Sequence, residues 1–243
     1  MNKIHVLLKK EELDHERLEG KVVVVLDILF ATSSIVTAIE HGASHVIAKA
    51  NGQEALAEAQ THAPGSYVLS GELNAETLSG FAHPTPLALL NENLAGRTLI
   101  YSTTNGTVAL AKSRLARHVY AAALLNAEAV VEHLVAQHPD LTVLIVCSGS
   151  ADNFNLEDFY GAGYLVSLLR RHAPTAEFSD AALAAELMHD SSDAETCLRQ
   201  ARVGRMMLAR RLDAEVRFAA QKSIYRNVPC LVDGSLRAIS CAS

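Results

Sequence analysis

Through most of its length this chain alternates short β-branched runs with segments whose apolar residues recur at helical spacing, and no other feature restricts its fold as much. The runs are KIHVLL, KVVVVLDI, SHVIAKA, SYVLSGE, RTLIYSTT, RHVYAAAL and LTVLIVCSG. Between them lie SSIVTAIEHG, GQEALAEAQTHA, GTVALAKSRL, AEAVVEHLVAQH and LEDFYGAGYLVSLLRRH, which predict helices. Alternation of this kind builds a layered α/β fold around a largely parallel sheet. From about Thr175 the pattern turns helical, in SDAALAAELMHD and SDAETCLRQARVGRMMLARRL, and it closes on an extended piece, VPCLVDGSLRAIS. No low-complexity linker interrupts it, so residues 1–243 are read as a single domain, with the change of pattern near residue 174 as a candidate subdomain boundary. SSIVTAIEHGASHVIAKA and GTVALAKSRLARHVYAAA echo one another, each running from a helix into a His-Val strand, a likeness that ordinary α/β grammar already supplies.

With 49% hydrophobic residues the chain has the apolar content to bury a substantial core. Its net charge of −6 comes from interspersed acidic and basic residues, without the basic stripe that tracks a phosphate backbone, so nucleic acid is a poor candidate partner. Nowhere do ~18 apolar residues run together, and the N-terminus becomes charged within its first ten residues; a soluble cytoplasmic protein with no membrane partner is expected. Cys147, Cys197, Cys230 and Cys241 form no CxxC pair and are read as reduced thiols packed like small hydrophobes. The stretches AALAAELM and GRMMLA suit either a homo-oligomer interface or packing onto the sheet, and core packing is preferred because helical apolar stripes normally face a core.

In an open parallel sheet, ligands collect beyond the carboxyl ends of the strands. One strand here ends in Asp27 followed by FATSS, a second in STTNGT (Ser102 to Thr107), a third in CSGSADNFNLED (Cys147 to Asp158), and a short one in SGELN, which supplies Glu72. STTNGT and FATSS both lead into helices, so their hydroxyl, amide and N–H groups either cradle an anion or cap the helix. An ionised carboxylate at the inner end of VVVVL is costly to bury without a partner, so Asp27 is expected to meet a metal, a loop amide or an arginine. Glu157 and Asp158 sit at a helix start, where the dipole favours them in any case. Four carboxylates spread over three loops, with few His or Cys nearby, suit Mg²⁺ acting on a phosphate or similar oxyanion.

Several other sites are excluded by inspection. There is no GxxxxGK[ST] loop, Asp27 is followed two residues on by Leu29 rather than Asp, Cys147 is followed by Asn153 where a cysteine phosphatase carries Arg, and GSA at 149–151 is no GxSxG elbow. The histidines form no HExxH. His41 and His45 are separated by Gly42 near a helix end, and His83 reads as a turn residue beside Pro84.

Taken together, LDILFATSSIVTAIEHGA, GELN, Gly80 with Phe81, STTNGT and CSG followed by EDFYGAG resemble the 2-phosphosulfolactate phosphatase family, ComB. DAA near Asp180, ARVGRMMLARRLDAEVRFAA and VPCLVDGSL follow the same order, so the resemblance covers almost the whole chain. It implies a cytoplasmic, three-layer α/β/α enzyme with Mg²⁺ as cofactor. Its substrate would be the phosphate monoester of a three-carbon sulfonated acid, split to sulfolactate and phosphate on a route to coenzyme M. With the loop reading, it implies Asp27, Glu72, Glu157 and Asp158 as metal ligands and Asp27, Asn105, Glu157 and Asp158 as catalytic groups. Thr32, Ser33, Thr103, Thr104, Asn105, Gly106, Thr107, Ser148 and Gly149 would surround the substrate. The family pattern carries Arg at the positions of Phe30 and Leu73, and a Gly-Asn-Ser-Pro turn in place of HPTP at 83–86. Replacement charge is therefore sought in Lys112, Lys222, Arg226 and Arg237. Two other readings stay open: a non-catalytic small-anion-binding protein on the same scaffold, and a same-fold hydrolase of a less charged substrate, which Phe30 and Leu73 suit.

Overall fold

The computed structural model describes residues 1–239. Its strands are β1 (Lys3–Leu7), β2 (Val22–Leu26), β3 (His45–Lys49), β4 (Tyr67–Leu73), β5 (Glu76–Thr77), β6 (Thr98–Ser102), β7 (His118–Ala122), β8 (Val143–Cys147), β9 (Glu177–Phe178), β10 (Pro229–Val232) and β11 (Ser235–Ala238). The helices are α1 (Ala31–Glu40), α2 (Gly52–Ala59), α3 (Pro86–Leu89), α4 (Gly106–Lys112), α5 (Ala127–Gln137), α6 (Leu156–His172), α7 (Asp180–Asp190), α8 (Ala194–Gln200), α9 (Arg202–Ala209) and α10 (Asp213–Ala219).

All strands join one mixed sheet in the order β5-β4-β6-β3-β11-β10-β7-β2-β8-β1-β9. Two parallel blocks, β4-β6-β3 and β7-β2-β8-β1-β9, are bridged by the antiparallel hairpin β10–β11. The C-terminal extended piece thus fills the middle of the sheet. Asp233 and Gly234 both have positive φ, 48° and 80°, the conformation a two-residue hairpin turn needs and Asp-Gly readily adopts. The segment β2-α1-β3 crosses from the second block named to the first, and β6-α4-β7 crosses back. This doubled crossover is the structural content of the sequence echo.

The strand β2 shows why the fold has three layers. It is buried along its whole length. Val23 and Val25 share a core with Ile35 of α1 and Leu110 of α4, whereas Val22, Val24 and Leu26 share another with Val131 of α5 and Leu165 of α6. On the other block, Ala55 and Ala59 of α2 cover Ile100 of β6. Helices lie on both faces, and the architecture is α/β/α, as expected.

The stretch SDAETCLRQARVGRMMLARRL is helical, as its pattern predicts, and is divided into α8 and α9. Ala201 is extended, with φ −60° and ψ 152°, so α8 stops and Arg202 begins a new helix. Cys147, Cys197 and Cys230 are buried free thiols; Cys241 lies outside the described residues. No helix among the described residues is long and apolar enough to cross a membrane.

Candidate active site

The loops leaving β2, β4, β6 and β8 meet around a pocket of about 200 Å³. Asp27 follows β2 directly, and its carboxylate faces the backbone N–H groups of Ala31 and Gly106, the first residues of α1 and α4, which favour its charge. Neither helix is capped by the side chain at its own N-cap position, Phe30 or Asn105, so one carboxylate serves the positive ends of both. A Cβ on Gly106 would lie 2.6 Å from Asp27 Oδ2 and would strike Ala31 Cβ; glycine is what lets α4 come so close. Burial, and then the charge of Glu72, nevertheless push the Asp27 carboxyl up to about 7, while the two helix amides and Lys10 pull it down.

Glu157 stands in the first turn of α6 and lines the same pocket. Its Oε2 is buried without a hydrogen-bond partner. Burial, together with the charge of Asp27, pushes this carboxyl too up to about 7, against its own backbone N–H and Arg202. Two acids of one sign facing an enclosed space leave a position that a cation or a shared proton would relieve.

Two cations answer them. Lys10, in the single turn after β1, is only 6% exposed. Its Nζ donates to Asn105 Oδ1 at 3.1 Å and to the Ser148 carbonyl at 3.2 Å, and it pairs with Glu11 at 3.0 Å. Because Oδ1 of Asn105 is taken, its Nδ2 is left as the donor end for a ligand oxygen. Arg202 opens α9 at the pocket wall and donates through Nη2 to Ser150 Oγ and, at 3.5 Å, to Asn155 Oδ1. Ser150 Oγ in turn donates to Asn155 Oδ1 at 2.7 Å, so the guanidinium is held in a small polar frame.

Not every predicted site residue reaches the pocket. Asp158 does not: Oδ1 accepts the Ile28 N–H at 2.9 Å and Oδ2 the Gly149 N–H at 3.2 Å, tying the end of β2 to the loop after β8. Burial, then Asp27 and Glu157, hold its carboxyl well above the usual range. Glu72 lines the pocket, but its oxygens already accept Thr104 N–H at 2.5 Å, Ala75 N–H at 2.5 Å and the Thr104 hydroxyl at 3.1 Å. Among the described residues no three Asp, Glu, His or Cys side chains form a metal-holding group, so the four-carboxylate set does not close around one point.

The hydroxyls divide in the same way. Thr32 Oγ1 accepts from Asp27 N–H at 2.9 Å, Ser33 Oγ donates to the Ile28 carbonyl at 2.6 Å, and Thr107 Oγ1 donates to the Thr103 carbonyl at 2.8 Å. These side chains brace turns and do not line the pocket, because short hydroxylated residues beside a helix start find backbone partners first. Ser148 and Gly149 also lie behind it; Gly149 has φ +62°, and a Cβ there would lie 2.6 Å from the Asn153 carbonyl oxygen. Asp27, Glu72, Thr104, Asn105 and Glu157 are the predicted residues brought together, with Thr103 in the adjoining cleft. Left-handed backbone at Asn74, Ala75 and Ala151, all on the pocket rim, adds strain of the kind that collects at functional sites.

A family model described as 2-phosphosulpholactate phosphatase matches residues 7–234. The chain belongs to the 2-phosphosulfolactate phosphatase family, whose namesake activity is that of a phosphoric monoester hydrolase. A probable 2-phosphosulfolactate phosphatase of Clostridium botulinum is 31% identical over 234 residues, covering 96% of this chain and 97% of that protein. One from Thermotoga maritima is 34% identical over 220 residues, covering 89% and 92%.

In this family member the charge expected from Lys112, Lys222, Arg226 and Arg237 is not at the pocket lining. Lys222 donates to Tyr160 and His189, Arg226 pairs with Glu132, and Arg237 donates to Ser235. Phe30 lines the pocket and Leu73 the neighbouring cleft. Arg202 lines the pocket and Lys10 reaches it through Asn105; these are the cations that sequence reasoning passed over. Lys10 sits in the charged run KKEEL, which reads as solvated, and Arg202 is one of several arginines in a helical stretch. No local signal separates either from its neighbours.

Proposed function

We propose that this chain hydrolyses a small phosphorylated acid of the 2-phosphosulfolactate type to the hydroxy acid and phosphate, with Mg²⁺ as cofactor. The observation that carries the reading is the pairing of Asp27 and Glu157, both pushed up to about 7, across a pocket walled by Arg202. The residues fit the metal. Mg²⁺ commonly takes one or two carboxylates and fills its shell with water and substrate phosphate, and Glu157 Oε2 is a buried acceptor with nothing to accept. Asp27 and Glu157 would hold the ion; Glu72 and Asp158 are spent on backbone and hydroxyl donors.

When bound, the ion supplies charge neutralisation for the phosphoryl group and lowers the pKa of water. The chain supplies position and charge. Arg202, held by Ser150 and Asn155, gives the phosphoryl oxygens charge-assisted donors. Lys10 fixes the Asn105 amide so that Nδ2 is the donating end, and it offsets the charge of Asp27. Phosphoryl transfer needs little more than such placement.

Phosphate release from a panel of 2-phosphorylated carboxylic acids tests the proposal. Turnover is expected to vanish on chelation and return with Mg²⁺, and Mg²⁺ affinity is expected to rise as pH passes upward through about 7, where Asp27 and Glu157 ionise in the metal-free protein. Saturable binding of these esters without phosphate release would instead mark a non-catalytic binding protein.

A further inference from the structure

Beside the carboxylate pocket lies a second cleft of about 440 Å³, within the size range of small-molecule sites. Glu72 and Thr104 line both, so the two spaces share a wall. The cleft is largely apolar, built by Leu56, Leu73, Leu78 and Phe81. Its lining contains no Lys, Arg or His, and Glu72 is its one charged residue. Leu73 and Leu56 are 57% and 49% exposed on its rim, although side chains of this kind usually find cover. The cations Lys10 and Arg202 both serve the other side of the shared wall.

We infer that this cleft receives the substituent on the third carbon of the substrate, and that the substituent is an apolar alkyl or aryl group rather than a second strong anion. The inference rests on the phosphatase reading above, which places the phosphoryl group in the neighbouring pocket. A sulfonate in the cleft would meet the leucine and Phe81 side chains and the carboxylate of Glu72 with no counter-charge, and only neutral polar groups such as those of Asn51, Gln53, Ser79 and Thr103 to replace part of its water. An aryl or branched alkyl group would cover Leu56, Leu73 and Phe81 and remove their surface from water.

Two esters that differ only at that carbon decide the matter: 2-phosphosulfolactate and the 2-phosphate ester of 3-phenyllactate. kcat/KM is expected to favour the phenyl ester by about tenfold or more. Leu73→Arg, at an exposed position where the fold tolerates charge, is expected to shrink that ratio at least about tenfold by placing a cation on the rim. A wild-type preference for the sulfonate ester, or a ratio that Leu73→Arg leaves unmoved, overturns the inference. Saturation-transfer NMR with free 3-phenyllactate reads the cleft without turnover, and contact is expected in the wild type and reduced in Leu73→Arg. No contact overturns the inference whatever the kinetics; contact without phosphate release from either ester overturns the phosphatase reading alone.

Discussion

Asp27→Asn is expected to lower kcat/KM for phosphate release by on the order of 10³, because it removes the charge that faces the two helix starts and that the proposed Mg²⁺ would need. The same variant is expected to change how stability depends on pH. In the fold the Asp27 carboxyl titrates near 7, against 3.8 for the ordinary side chain. The native state therefore binds this proton more tightly than the unfolded chain does. Its contribution to stability is complete below about 3.8 and is lost as pH rises through about 7. Glu157 acts in the same direction from 4.5 to about 7. Urea unfolding of the metal-free protein at a series of pH values should show stability falling between about pH 4 and 7 and levelling off above 7, and Asp27→Asn should flatten part of that fall. Asn keeps an acceptor for one helix amide, so the variant folds. Activity within a fewfold of wild type, or an unaltered pH slope, would count against the assignment.

Lys10→Met is the second large effect. The substitution keeps the unbranched stem of the side chain and removes the cation, leaving Asn105 Oδ1 and the Ser148 carbonyl without their donor. A cost of about 1–3 kcal/mol in stability follows from those two groups. kcat/KM should fall on the order of 10²-fold, the scale of one charge-assisted contact together with a misplaced amide. Lys10 is also among the groups that pull the Asp27 carboxyl down. Its loss should therefore move the acidic limb of the pH–rate profile to higher pH, a change that a purely structural lysine would not cause. An unmoved limb with lowered stability would reduce Lys10 to a strut.

The layered fold was legible because its cause is local. Each β-branched run and each helical stripe carries its own pattern, and the matching elements formed where the spacing predicted them. The central position of β10–β11 was not legible, since a short run such as VPCLVDGSL suits an edge strand as well as a bridge. The acids were easy to locate, at the carboxyl ends of strands, but their division of labour was not. Asp27 and Glu157 face the pocket, whereas Asp158 spends both oxygens on backbone N–H groups of two different loops; adjacent residues in one helical turn point in different directions, and only packing selects which one faces in. Lys10 and Arg202 were hidden for a related reason. A lysine becomes a buried site residue through its tertiary partners, here Asn105 and Ser148, and the charged run around it gives no sign of them.

Calorimetric titration of Mg²⁺ at pH 8 in the presence of inorganic phosphate tests the pairing of Asp27 with Glu157 most directly. One ion per chain is expected for the wild type, with binding lost or severely weakened in both Asp27→Asn and Glu157→Gln. Binding of equal strength in all three proteins would contradict the account.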